Sequence, residues 1–193
     1  MTDLLHHGPG SRHRAAEALR GLDARSVLIV TGPRWTEVAD GIAAALADRW
    51  AGTFAGVTQQ VPEPVVAEAL QLAQSTRADW VLAIGGGSAI GVAKALALEQ
   101  PGLKVAALPT TYSGSERTDI WGRLQDGDKL TGRDPRVRPR LVFYDPDLQG
   151  RLPPASSRQS LLNALAHSIE ALYDASATPA ARTAAEESLP LLW

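Results

Sequence analysis

Residues 79–108 read DWVLAIGGGSAIGVAKALALEQPGLKVAAL, and the succession of textures along them decides the fold. Asp79 to Ile84 is a short apolar run that suits a strand. Gly85, Gly86, Gly87 and Ser88 then form a turn, and the Ala-rich stretch to about Glu99 carries high helix propensity. Lys104 to Leu108 is a second strand of the same kind. Both strands are continuously apolar rather than alternating, as expected where a parallel sheet is covered on both faces.

The alternation extends upstream. Ser26 to Thr31 (SVLIVT) reads as a buried strand, about Trp35 to Trp50 as a helix, and Thr53 to Val57 as a further strand. Pro62 and Pro64 punctuate the loop before a helix from about Pro64 to Thr76, with Pro near its first turn. Repeated βα units predict an α/β fold, a parallel sheet with flanking helices of the Rossmann-like kind, with ligands at the carboxyl ends of the strands. Downstream of Pro109 the texture changes. Thr110 to Arg140 is polar and charged, with a hairpin expected at Asp126-Gly127. Leu141 to Tyr144 is one more strand, ended by Asp145-Pro146. Pro153-Pro154 marks a boundary, because the residue before a proline is pushed out of the helical region. From Ser156 to Trp193 the spacing is helical, with Leu161, Leu162, Leu165, Ile169 and Leu172 on one broad stripe. Two domains are therefore expected, an α/β domain over residues 1–153 and the start of an all-helical domain over 154–193.

Composition narrows the function. The 193 residues are 45% apolar and 21% charged, within the globular range. A formal charge of −2 gives no clustered basic face for a nucleic acid. The chain has no Cys, which removes disulfides, thiolate metal sites and Cys nucleophiles and leaves four His with the carboxylates as candidate metal ligands. No apolar run approaches a membrane span, and the start MTDLLHHGPG has neither a basic nor an apolar leader region, so the expected location is cytoplasmic.

Three segments could carry chemistry. A Gly-Gly-Gly-Ser turn between a buried strand and a helix presents backbone N–H groups at a helix N-terminus, which favours a phosphate, although glycine also ends strands for steric reasons alone. It is not the GxGxxG fingerprint. Leu108 to Glu116 (LPTTYSGSE) also follows a strand and offers hydroxyls beside Gly114. In Ser160 to Tyr173 (SLLNALAHSIEALY), Asn163, His167 and Glu170 stand four and three residues apart and share about one helix face. That face either meets a ligand or is a polar stripe flanking the Leu face.

The segments GGGSAIGVAKALAL, LPTTYSGSE, GRDPRVRPRLVFYDPDL and NALAHSIEALY, in this order and spacing, resemble the iron-containing alcohol dehydrogenase superfamily, of dehydroquinate synthase-like fold, and within it the maleylacetate reductase branch. The resemblance implies an N-terminal NAD(P)-binding domain, a C-terminal helical domain and an active site in the cleft between them. It matches Gly85, Gly86, Gly87 and Ser88 to a pyrophosphate-binding turn and Thr110, Thr111 and Tyr112 to a loop facing the cofactor. Gly91 stands where many relatives carry Asp but the reductase branch commonly has Gly. In metal-dependent relatives an Asp and a His from the last segment hold the ion. Asn163 takes the Asp position here, an amide brings no charge to a divalent ion, and the reductase branch works without metal, so no metal is expected.

The implied catalytic set is His167, Asn163 and Tyr112, with His167 as a substrate contact or acid/base group. The cofactor is NADH or NADPH: no acidic residue follows SVLIVT until Glu37, and Arg34 is close by. Between Arg117 and Arg140 the basic residues outnumber the Asp residues, which suits a dicarboxylate or a 2′-phosphate for some of them and a solvated surface for most. Relatives are nearly twice as long, Leu161 replaces a usual Gly, and Gln60 replaces a usual His. The expected function is reduction of a small carboxylated keto or enoyl substrate, with a second chain or self-association into a homo-oligomer completing the cleft. The alternative is a shortened homologue repurposed as a non-redox enzyme or small-molecule binding protein in a biosynthetic pathway.

Overall fold

The computed structural model describes residues 4–192; Trp193, the expected end of the helical segment, lies outside the described residues with Met1, Thr2 and Asp3. Strand β1 (Leu4–His7) leads through a 3-10 turn into helix α1 (Ala15–Gly21). There follow β2 (Val27–Thr31), α2 (Thr36–Leu46), β3 (Trp50–Phe54), α3 (Glu63–Ser75), β4 (Trp80–Gly85), α4 (Gly87–Glu99) and β5 (Lys104–Pro109). An antiparallel hairpin, β6 (Ile120–Gln125) and β7 (Asp128–Arg133), precedes β8 (Leu141–Tyr144), α5 (Pro146–Gln149), α6 (Pro154–Tyr173) and α7 (Pro179–Leu192).

Six strands form one sheet in the order β1-β8-β5-β4-β2-β3, and every pairing is parallel. Because side chains alternate across a strand, the sheet divides the core in two. Val27, Ile29, Leu82, Ile84, Leu108 and Phe143 meet α1 and α2 on one face. Leu28, Val30, Val81, Ala83, Val105 and Ala107 meet α3 and α4 on the other. All of β2 and β4 is buried, which is why their sequences show no polar alternation. The chain leaves β2 for β3 on one side and then crosses to β4 on the other, so the strand order reverses between β2 and β4, where open α/β sheets place ligands.

Two boundaries differ from the sequence expectation. The second strand is Trp50–Phe54, not Thr53 to Val57, and the preceding helix stops at Leu46. Ala47 takes φ 55° and ψ −120°, a conformation no helix continues through, and the reversal brings Trp50 beside Val27. Strand β1 and helix α1 are additions: four residues at a sheet edge carry too little pattern to register. The hairpin closes at Asp126-Gly127, both with positive φ, as that dipeptide predicts. The expected C-terminal helical segment is two helices, α6 and α7, with Asp174 accepting from the Ser176 amide at 2.8 Å in the turn between them. No residue of α6 is buried, and Leu162 and Ile169 of the expected apolar stripe are exposed.

One carboxylate joins the sheet edge. Asp145, fully buried after β8, accepts from the amides of Gly10 and Arg12 at 3.1 Å and from Arg12 Nη1 at 2.7 Å. Burial alone would raise its pKa, but these donors prevail and hold it below the usual carboxylate range. A carboxyl depressed in the folded state contributes stability above its unfolded pKa and loses it as pH falls through the folded value. Asp145→Asn is therefore expected to cost about 2 kcal/mol at pH 7. The deficit against the parent should shrink as pH falls below the ordinary Asp value of about 4, measured by urea unfolding from about pH 7 to about pH 2.

Candidate nucleotide and substrate cleft

The site begins at the end of β4. Gly85 has φ +150°, and a Cβ there would stand 2.9 Å from Ala89 Cβ, so the strand can turn into α4 only with glycine. Gly85 O accepts from the Thr110 amide at 2.9 Å, which sets the loop after β5 beside the turn. Gly86 is the N-cap of α4 and no side chain caps it. The first-turn amides thus keep their donors unclaimed by any cap. A Cβ on Gly86 would meet Thr111 Cγ2 at 2.7 Å and Oγ1 at 3.0 Å, and one on Gly87 would meet Ser113 Oγ at 3.5 Å. Thr111 Oγ1 and Ser113 Oγ are both buried without a hydrogen-bond partner. Two orphaned hydroxyls facing a glycine turn at a helix N-terminus require an explanation, and a bound polar group supplies one.

In front of the turn lies a cleft of about 940 Å³. One wall is α4, through Gly87, Ser88, Gly91 and Lys94; the other is the hairpin, through Ile120, Gly122, Leu124, Lys129 and Thr131. Gln60 and Val61 close one end and His167 reaches in from α6. Lys94, Lys129 and His167 are the titratable residues of this lining, and no Asp or Glu is among them. The cleft therefore favours an anion.

Of the residues the sequence singled out, Gly87, Ser88 and His167 line the cleft. Gly85, Gly86 and Thr111 stand behind that lining, and Thr110 is buried. The Tyr112 amide donates to Ser160 Oγ at 2.7 Å, fastening α6 to the loop, while its side chain is outside the lining. Asn163 is exposed and also outside it. His167 Nδ1 lies 3.3 Å from Glu170 Oε2, so Glu170 serves the histidine rather than the cleft. Of the basic residues between 117 and 140, Arg123, Arg133 and Arg136 pair with Glu99, Asp119 and Asp134, leaving Lys129 as the one from that stretch that lines the cleft.

Sequence reasoning missed Lys94. Its side chain is fully buried, with Nζ donating to Thr118 O at 2.9 Å, Thr118 Oγ1 at 3.1 Å and Ile120 O at 2.7 Å. Desolvation pushes its pKa down to about 8 against the pull of Glu116 and Asp119. The signal was one charge inside the otherwise apolar run GVAKALAL. Gln60, singled out in the sequence as replacing a usual His, also lines the cleft, but its neighbour Val61 and the bend they form were unforeseen. Both have positive φ, 67° and 55°, a strained state for a β-branched valine. The Val61 carbonyl accepts from Leu124 N at 3.0 Å, so the bend ties α3's leading loop to the hairpin.

A family model described as iron-containing alcohol dehydrogenase matches residues 4–146. The chain belongs to the iron-containing alcohol dehydrogenase family. It is 44% identical to maleylacetate reductase 2 of Cupriavidus pinatubonensis (strain JMP 134 / LMG 1197) over 182 residues, 94% of this chain and 50% of that protein. The crystal structure of maleylacetate reductase from Agrobacterium tumefaciens matches all of this chain and 55% of that one, with TM-score 0.93 and 36% identity. An iron-containing alcohol dehydrogenase from Corynebacterium glutamicum gives TM-score 0.91 and 33% identity, over all of this chain and 53% of that one. The chain spans about half the length of the curated relatives it matches. The family name implies iron, but among the described residues no three His, Asp or Glu side chains converge as a metal site, and Asn163 offers an uncharged amide beside His167. Among the described residues, no helix is long and apolar enough to cross a membrane.

The Gly91–Val61 crossing is testable in this family member. A Cβ on Gly91 would stand 2.6 Å from Val61 Cγ2. Gly91→Ala is expected to cost about 1–2 kcal/mol by overpacking. Val61→Ala, which removes the clashing atom, should recover most of that loss in the double variant. Urea unfolding of the four-protein cycle measures it, and additive losses would contradict the contact.

Proposed function

We propose that this chain provides the dinucleotide-binding side of a reductase of the maleylacetate reductase type, acting on a small carboxylated keto or enoyl substrate. The observation that carries the reading is the glycine turn at the head of α4 with Thr111 Oγ1 and Ser113 Oγ buried and unpartnered beside it. The turn fits a pyrophosphate: the first-turn amides of α4 donate to it along the helix dipole, Gly86 and Gly87 let it approach the backbone, and the two hydroxyls complete its shell. NADH and NADPH both satisfy that chemistry. The reduced dinucleotide, when bound, supplies a hydride from its nicotinamide C4.

The remaining roles belong to side chains of the cleft. Lys129, unopposed by any carboxylate of the lining, attracts and orients a substrate carboxylate. His167, whose Nδ1 faces Glu170, keeps Nε2 for the ligand, where as imidazolium it gives a proton to the carbon or oxygen on which negative charge develops. Asn163 on α6 and Tyr112 in the loop after β5 lie outside the cleft lining, and no step is assigned to them. The proposal divides the chain near Pro153 into the dinucleotide domain, residues 1–153, and the first part of a helical domain. It includes self-association of copies, supported by Leu162, Ile169, Tyr173 and Leu191 standing exposed along α6 and α7.

Titration of NADH and NADPH fluorescence tests the reading. Either nucleotide should change its emission on binding, and silence of both at about 1 mM, near the weak limit of useful cofactor affinity, would overturn it. Gly86→Val should abolish the response by driving a side chain into Thr111. His167→Gln should leave dinucleotide binding unchanged and lower the rate of NAD(P)H oxidation with maleylacetate about 100-fold.

A further inference from the structure

The cleft has two walls that belong to different parts of the chain, and one side chain joins them. We propose that Lys94 is a positioning residue that fixes the separation between α4 and the hairpin, and so sets the width of the cleft. Lys94 is on α4, two turns from the dinucleotide-facing Gly87 and Ser88. All three of its hydrogen bonds go to Thr118 and Ile120, where the chain enters β6. Ile120, Gly122 and Leu124 follow as the facing wall.

With three acceptors around it, the ammonium has no proton left for a ligand, so it acts through the wall and not by touching substrate. A charge at this point is costly. Its acceptors are two carbonyls and a hydroxyl, no carboxylate bonds it directly, and an apolar side chain of similar length would fill the volume more cheaply. What an apolar side chain cannot supply is direction: three bonds converging from the start of β6 admit one placement of the hairpin against the helix. The other ties are weaker in kind. Arg123 and Glu99 form a half-exposed ion pair at 2.6 Å, and Val61 O with Leu124 N is one neutral bond at 3.0 Å. Among the charged groups around the ammonium, Glu116 and Asp119 favour its charge and Arg138 opposes it, and neither carboxylate bonds it.

The role as wall is independent of the ligand, but its effect on binding rests on the dinucleotide reading, so the test reads both. In Lys94→Met, hydrogen exchange of amides in residues 118–133 should rise about tenfold or more while β2, β4 and β5 keep their protection, as loss of charged hydrogen bonds to one wall requires. Affinity for NADPH should fall about tenfold in the same protein by the same loss. A general destabilisation would raise exchange in the sheet as well, and unchanged exchange in the hairpin would overturn the proposal. The absence of Cys permits a rescue: Lys94→Cys, alkylated with bromoethylamine in denaturant and refolded, restores the ammonium at one position only. It should recover hairpin protection, whereas the unalkylated thiol should not. Should Lys94→Met fail to fold, Thr118→Val removes one acceptor of the three and is expected to give a smaller rise confined to the same segment; no rise would overturn the proposal. If the parent protein binds neither nucleotide, the functional reading falls while the exchange measurement still decides the role of Lys94.

Discussion

Helix α4 has no outer face, and the rest of the site follows from that. Nine consecutive residues, Ala89 to Ala97, are buried, because β4, β5, α3 and the hairpin surround the helix. An element so enclosed, open only to the cleft, tolerates bulk only where a neighbour leaves space. Gly91 admits Val61, Gly86 admits Thr111, and the small residues between them let α3 and the sheet approach. The same enclosure makes α4 rigid, and its N-terminal amides are therefore aimed before any ligand arrives. A binding site built this way loses little free energy in reorganisation when it is filled.

Charge is distributed to match. The stretch from Arg117 to Arg140 is rich in Arg, yet Arg123 and Arg133 of the hairpin are taken up by Glu99 and Asp119, and Arg136 just beyond it by Asp134, pairs that present little net field to the cleft. Tyr144 donates to Glu116 at 2.9 Å, its own pKa raised by burial and by that carboxylate, and so locks the loop after β5 to β8. Glu116 faces β8 instead of the ligand, and Lys94 is consumed by its three acceptors. Lys129 is left to give the cleft its sign.

The sheet was legible in the sequence because burial on both faces writes an unbroken apolar run, and β2, β4, β5 and β8 each have one. The glycine turn was legible because backbone approach demands glycine whatever the surroundings. Edge strands were less so: β1 was missed and β3 was expected three residues too late, because both pair on one side only and Leu4, Leu5 and Trp50 stay exposed, so their sequences obey no clear period. Helix α1 is only seven residues long and leaves no extended pattern either. Lys94 and Val61 escaped for a different reason. Their roles are set by segments far along the chain, Thr118 with Ile120 and Leu124, and no local pattern encodes a partner dozens of residues away.

The two ends of the cleft are built on supports of opposite character. The phosphate end stands on α4, enclosed and bonded to the sheet, whereas His167 stands on α6, a helix with no buried residue that rests on α7 and is fastened to the α/β core at Ser160. Positioning for proton transfer tolerates about half an ångström, and a side chain on a helix so lightly covered is not held to that by its own chain. On the proposed function, dinucleotide binding is therefore a property of the α/β core, and turnover depends on whatever covers Leu162, Ile169 and Tyr173. On that proposal cofactor affinity and catalytic rate are separable: substitutions around α4 act on the first, and those along α6 act on the second.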